Sequence, residues 1–271
     1  MPSRSFRNGF MKATLITGAS SGIGEAFARR LAEEKHNLVL VARSGEKLDN
    51  LCDELIAKHN INAHYIAIDL IDDRADERLF RETEEQGMQI DWLINNAGFG
   101  SMGDFAKLEL EKELGMINLN ISALVALTHR FLKKMRERGA GTIINVSSAA
   151  GFQPTPFMAT YAATKAFVTS FSEAIAEENR PYGIKVMALC PGSTKTNFFE
   201  ASNIERPITV KGQQSVEDVV ETALKGIEKG RTKIVSGWTN YFGAIAGTFA
   251  PSILITRVIG KALRSKYQDK E

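Results

Sequence analysis

The sequence predicts an α/β fold: a single doubly wound parallel sheet with helices on both faces. Three observations carry that prediction. Short apolar runs alternate with longer amphipathic stretches along most of the chain. The short runs are continuously apolar, as strands become when helices cover both faces of a parallel sheet. A glycine-rich turn also lies between the first apolar run and the first amphipathic stretch. Right-handed strand–helix–strand units made of such elements wind the sheet in both directions.

The elements follow in order. ATLIT (13–17) reads as a buried strand, with a helix over 23–35. NLVLVA (37–42) is the second strand and 46–58 the second helix. AHYIAID (63–69) is the third strand. Asp72 then stands as the N-cap of a charged helix reaching about residue 86. IDWLIN (90–95) is the fourth strand, and 110–137 holds helical periodicity. TIINVS (142–147) is the fifth strand, 160–180 a helix, and IKVMALC (184–190) the sixth strand. SVEDVVETALKGIEKG opens on a capping box, Ser215 and Asp218, and closes on Gly230. KIVS (233–236) is a seventh strand.

The chain has 271 residues, long for an average domain but compatible with one α/β domain. Hydrophobic residues make up 44%, enough for a large core and too many for a disordered chain. A net charge of +2 implies no strong field for nucleic acid or an anionic membrane. Cys52 and Cys190, neither in a CxxC pair, point to a reducing compartment and a cytoplasmic location. Cys190 ends an apolar run and reads as a small core residue. No metal site is expected. Residues 1–10 hold basic side chains but no apolar segment, unlike a secretory signal, and read as a flexible extension or a cloning remnant. Residues 11–271 show no repeat, linker or composition break, so one domain is expected.

The first strand runs into TGASSGIG, with Gly18, Ser20, Ser21, Gly22, Ile23 and Gly24, and a helix follows at once. Glycines there permit a tight turn and close approach of backbone to a pyrophosphate at the positive end of the helix. The spacing is G-x-x-x-G-x-G. Sites for NAD place an acid at the tip of the second strand, about 20 residues on, to hold the ribose 2′-hydroxyl. Here that place is Ala42, and Arg43 follows. A guanidinium suits a 2′-phosphate, which indicates NADP, and Ser20 offers a second donor. Tyr161 and Lys165, in YAATK, are four residues apart and share a helix face. A free tyrosine titrates near pH 10, and a nearby cation lowers that value.

TGASSGIG, NNAG (95–98), Asn120, Ser148, YAATK and Pro191-Gly192 occur in one order at characteristic distances. Over about residues 12–200 the chain closely resembles the short-chain dehydrogenase/reductase family, whose fold is Rossmann-like. The resemblance implies that NNAG, with Asn96, Ala97 and Gly98, stabilises the sheet beside the cofactor, and that Asp69 meets the adenine ring. It implies that Ser148 orients the substrate, with Ser147 as the neighbouring rival. It implies that Asn120 supports a proton-relay water, with Asn118 as the rival two residues earlier. PGSTKT resembles the loop over the nicotinamide, so Pro191, Gly192, Thr194 and Thr196 are expected to touch the cofactor, Thr194 through its backbone.

The implied reaction passes hydride between NADPH and a carbonyl or alcohol carbon. Tyr161 is the acid or base, and Lys165 holds the nicotinamide ribose and lowers the tyrosine pKa. The rivals are an NAD-linked alcohol dehydrogenase, against which Arg43 weighs, and a non-catalytic dinucleotide sensor, against which the complete catalytic set weighs. An isomerase or epimerase of the extended branch would carry the other glycine spacing. A homodimer or homotetramer is expected, and no nucleic-acid partner. The variable segment from about residue 197 is expected to shape the substrate site. In it, 197–214 with Phe198 and Phe199 reads as a lid. Residues 235–256 are uncharged and include Trp238, Tyr241, Phe242 and Phe249. Asn, several Gly and a central Pro251 make that stretch a poor membrane span. An apolar hairpin packed on the domain or on a second subunit, a substrate wall and a surface membrane contact remain open for it. A largely apolar ketone or aldehyde is the expected substrate.

Overall fold

A computed structural model of the chain describes residues 11–196, 198, 202, 213–238, 240–242 and 251–267. The expected N-terminal extension, Phe199, Phe249 and most of the expected lid lie outside the described residues.

Seven parallel strands form one sheet: β1 (Met11–Thr17), β2 (Leu38–Ala42), β3 (Ala63–Ala67), β4 (Met88–Asn95), β5 (Gly141–Val146), β6 (Ile184–Pro191) and β7 (Lys233–Ser236), in the order β3-β2-β1-β4-β5-β6-β7. The helices are α1 (Gly22–Glu33), α2 (Gly45–His59), α3 (Ala75–Glu85), α4 (Leu110–Ile117), α5 (Leu124–Arg138), α6 (Ala159–Asn179), α7 (Val216–Glu228) and α8 (Ser252–Tyr267). The architecture is the doubly wound, Rossmann-like one read from the sequence.

Two apolar cores explain why the strands are continuously apolar. Ile16, Leu38, Leu40, Ile94 and Leu189 pack with Phe27 and Leu31 of α1, Leu48 and Leu55 of α2, and Val220 and Leu224 of α7. Their neighbours Leu15, Val39, Val41, Leu93 and Val186 pack on the other face with Leu79 of α3, Phe131 and Met135 of α5, and Ile175 of α6. Successive strand residues point to opposite faces, so both sets must be apolar. Burial of side chains this size stabilises the fold by roughly 1.5–3 kcal/mol each.

Two expectations need correction. The stretch 110–137 is not one helix: α4 stops at Ile117, residues Asn118–Ala123 make a π-helical turn, and α5 resumes at Leu124. Asp72 does not cap α3. The residue at that cap is Arg74, at φ 53°, while Asp72 accepts from the Ala75 N–H through its carbonyl and pairs with Arg78 at 3.3 Å. A turn over 69–75 delays the helix, because the Asp69 carboxylate and carbonyl capture the N–H groups of Ile71 and Asp72. By contrast Ser215 caps α7, its hydroxyl accepting from the Asp218 N–H at 3.1 Å, and Gly230 at φ 65° ends the turn that follows.

Candidate active site

The strand order reverses direction of travel between β1 and β4, and the crevice at their carboxyl ends is where doubly wound sheets place ligands. The glycine loop leaves β1 there. Gly18 adopts φ 66° and Gly22 φ 61°, values an L side chain resists. Gly24, inside α1, is constrained differently: a Cβ on it would overlap the Gly18 carbonyl oxygen and lie 2.6 Å from Asn96 Nδ2. The loop is thereby drawn tight against the NNAG segment. Asn96 Nδ2 donates to the Thr17 and Gly18 carbonyls at 2.9 and 3.2 Å. The N–H groups of Asn96 and Ala97 both donate to the Thr17 hydroxyl at 3.0 Å. Ser20 and Ser21 stand at the loop tip, with Ser21 exposed and preceding the N-terminus of α1.

Arg43 follows the last residue of β2 and is largely exposed. Its Nη1 lies 3.9 Å from the Asp69 carboxylate beyond β3. The two expected cofactor-tip residues therefore meet at the carboxyl ends of adjacent strands. Neither they nor Ser20 and Ser21 line the central cavity.

That cavity, about 500 Å³, has Ser148, Tyr161 and Lys165 on its wall with Ile23, Asn96, Gly98, Pro191, Gly192, Thr194 and Thr196. Ser148 lies beyond β5, where its hydroxyl accepts from the Ala150 N–H at 3.1 Å and is close enough to the Tyr161 phenol to act on its pKa. Ser147 also borders the cavity, but its hydroxyl is taken up within the fold: it donates to the Lys165 carbonyl at 2.7 Å and meets Thr169 at 2.7 Å. Of the two hydroxyls, Ser148's is the one not tied to α6. Tyr161 and Lys165 are one turn apart on α6 and both are buried.

The lysine Nζ donates to the Val146 carbonyl at 2.8 Å and lies 5.8 Å from the centre of the tyrosine ring. Burial lowers Lys165 to a pKa of about 8, against a small raising effect from Cys190. Burial also raises the Tyr161 phenol, and the Ser148 hydrogen bond only partly opposes it. The expected lowering of the tyrosine by Lys165 is therefore corrected. The amine is turned to a carbonyl, and loss of hydration dominates both groups.

Asn120, in the π-helical turn, is buried. Its Nδ2 donates to the Phe99 carbonyl at 3.0 Å and the Thr164 hydroxyl at 3.1 Å, and its Oδ1 accepts from the Phe99 N–H at 3.2 Å. A Cβ on Gly98 would lie 2.8 Å from Asn120 Oδ1 and 3.5 Å from Lys165 Nζ, so glycine is what lets the loop pass over both. The asparagine clamps the NNAG loop to α6 through its side chain. Thr196 reaches back over Gly22, its Cγ2 3.3 Å from where a Cβ would stand. The Thr194 hydroxyl donates to the Gly192 carbonyl at 3.0 Å.

The Phe198 ring lies tilted against Tyr161, 5.4 Å between centroids. Gly100 lies beneath both, where a Cβ would be 2.9 Å from the Phe198 ring. Ser202 fastens this covering segment, accepting from the Gly100 N–H at 3.1 Å, while its carbonyl accepts from Lys112 Nζ at 2.7 Å.

Sequence reasoning missed Met102, Gln153, Thr155, Met158 and Asn240, which also line the cavity. Met158 was within reach, because it stands three residues before Tyr161, at the N-cap of α6. Asn240 carries no local signal. It arrives from beyond β7, and a Cβ on Gly192 would overlap its side chain.

Comparison with known proteins agrees with this geometry. Residues 12–207 match the short chain dehydrogenase family. The very-long-chain 3-oxoacyl-CoA reductase of Mus musculus is 32% identical, over 94% of this chain and 82% of that protein. A short-chain dehydrogenase from Sphingobium yanoikuyae in complex with NADPH superposes with a TM-score of 0.80. It is 30% identical over 96% of this chain and 98% of that one. The bulky-bulky ketone specific alcohol dehydrogenase of Comamonas testosteroni gives a TM-score of 0.74. It is 32% identical over 89% of this chain and 94% of that one. With the glycine loop, the NNAG clamp and the Ser148–Tyr161–Lys165 wall in one crevice, the chain belongs to the short-chain dehydrogenase/reductase family of oxidoreductases.

Proposed function

We propose that the protein is an NADPH-dependent reductase of a ketone or aldehyde on a largely apolar molecule. The observation that carries the reading is the Tyr161–Ser148 pair on the wall of a cavity covered by Phe198. The cradle fits a dinucleotide: glycines at the positions where side chains would collide, a helix N-terminus for phosphate, and a guanidinium at the β2 tip. NADPH supplies the hydride. The chain supplies the rest. Ser148 donates a hydrogen bond to the carbonyl oxygen and fixes its place beside the phenol. Tyr161, kept neutral by burial, gives its proton to that oxygen as negative charge develops there. Lys165 binds the ribose, and Asn120 holds the loop that shapes the floor. NADP is favoured over NAD by Arg43 and by Ala42 in the usual acidic place, and the Sphingobium neighbour carries NADPH.

The apolar substrate class is supported by Phe198, Met102 and Met158 on the cavity wall, and by the ketones and acyl chains named for the relatives above. Among the described residues no helix is long and apolar enough to cross a membrane, and a cytoplasmic location fits the two reduced, buried cysteines. Self-association fits Leu110, Leu114 and Ile117 of α4 and Phe167 of α6, all exposed.

Tyr161→Phe tests the reading. The variant keeps the ring and its packing but has no proton to give. NADPH binding should persist while kcat falls by about 10²-fold or more. Retention of more than about a tenth of the wild-type rate would reject the assigned role.

A further inference from the structure

Two exposed groups flank the cavity, and neither takes part in the proposed reaction. The first is aromatic. Trp238, Tyr241 and Phe242 are 80%, 43% and 62% exposed. Their rings touch one another, Trp238 lying 6.5 Å from Tyr241 and 6.4 Å from Phe242. Asn240, within the same turn of chain, lines the cavity, so the cluster stands at its rim.

The second group is the outer face of α8. Its inner face is fixed to the cavity wall: Tyr267 stacks on Phe157 at 5.5 Å and the buried Gly260 backs onto Pro156. Pro156 and Phe157 lie between Thr155 and Met158, both of which line the cavity. The outer face exposes Ile253, Leu254 and Val258. Arg257, Lys261 and Arg264 follow at i, i+4 and i+7 on the same side and border a shallow cleft. The helix has no acidic residue over 252–267.

Exposed rings and aliphatic side chains beside a row of cations mark a contact surface. A second copy seated symmetrically would set this cationic row against itself, and like charges oppose that arrangement. A surface that offers hydrocarbon and negative charge together suits both groups. Trp and Tyr favour the headgroup level of a bilayer, and a helix bearing cations and apolar residues lies in that plane. The net charge of +2 hid this, because the cations are concentrated on one helix and balanced elsewhere.

We infer that Trp238, Tyr241, Phe242 and the outer face of α8 dock the protein on an anionic lipid surface, with the mouth of the cavity turned toward the lipid. Docking needs no turnover, so it stands or falls separately from the proposed reaction.

Flotation of the full-length protein with vesicles of phosphatidylcholine, with and without phosphatidylglycerol, tests it. The wild type should float with the phosphatidylglycerol vesicles, stay behind with phosphatidylcholine alone, and be released as salt rises. Arg257→Glu with Lys261→Glu and Arg264→Glu should cut the bound fraction at least about tenfold, and Trp238→Ser with Phe242→Ser should do the same. Unchanged thermal midpoints would show both variants folded. Should a variant fail to fold, the salt titration of the wild type decides alone. No flotation of the wild type with anionic vesicles overturns the inference. So does flotation indifferent to salt and to both variants. A fall in oligomer mass in the lipid-free variants, with no lipid binding by the wild type, would give the surface to a second copy instead.

Discussion

Lys165 shows how a single buried charge links the site to stability. Its pKa falls from the usual 10.5 to about 8 because burial penalises the ammonium. Between those values the unfolded chain holds a proton that the folded chain has released. Stability from this group therefore rises as pH climbs from about 8 toward 10.5. Tyr161 runs the other way, its raised phenol losing stability only above its ordinary pKa near 10. Comparison with Lys165→Met isolates the lysine, since the tyrosine is common to both. The stability of the wild type relative to the variant should rise through that window, read by urea unfolding at pH 7, 8.5 and 10. A difference that stays flat with pH would refute the buried-ammonium account. At this scale the sequence was legible in its spacings but not in its environments. YAATK fixed which two side chains share a face. It did not reveal that Lys165 turns to the Val146 carbonyl, because that partner lies on another element. Spacing favoured Ser148, but it did not reveal the bonds of Ser147 to α6, which occupy the rival hydroxyl.

At the scale of elements, the glycine loop and α1 act as one rigid corner. Gly24 has ordinary helical geometry, yet a Cβ there would strike the backbone of Gly18. Gly87 is the reverse case: φ is 67°, but nothing lies within 4 Å of a built Cβ. Gly87→Ala should therefore cost only the left-handed strain, about 1–2 kcal/mol. It should leave NADPH binding alone. Gly24→Ala should cost about 1–3 kcal/mol through overpacking and also weaken NADPH binding, because the loop must move. Denaturation and a fluorescence titration of each variant would show this, and equal NADPH affinity in the two would remove the corner from the binding site.

The strands and most helices were legible because burial on two faces forces apolar runs and one-face burial forces helical periodicity. The π-helical turn was not. The periodicity of 110–137 continues on both sides of it, and the cause, Asn120 bonding to Phe99, is a tertiary contact. Asp72 looked like a cap because caps prefer that residue, but the turn at Asp69 moves the helix start to Ala75.

For the molecule as a whole, cofactor preference can be read through stability. A ligand at about 100 times its Kd adds about 2.7 kcal/mol to the folded state. NADPH should raise the thermal midpoint more than NADH at equal concentration. Arg43→Ala should weaken NADPH binding at least about tenfold, as expected for one lost charge-assisted bond. At the same NADPH concentration it would keep only about 1.4 kcal/mol of that gain. Equal shifts with both cofactors in the wild type would overturn the preference for NADP.

The C-terminal part was the least legible at this scale. Its uncharged stretch left several partners open, and only the placement of α8 against Pro156 and Phe157 set it beside the cavity.

The strand order has a consequence for the birth of the protein. β1 is made early, yet one of its two edges is completed by β4, which ends at Asn95. On the ribosome β1 can pair with β2 long before β4 emerges, and until then it presents an open apolar edge. Chains stalled before β4 has emerged should bind chaperones and be cut readily by protease, and chains stalled well past Asn95 should not. The last strand, β7, has four residues and, among the described residues, pairs with β6 alone. The first half of the sheet can therefore be complete while Ser148, Tyr161 and Lys165 are still being translated.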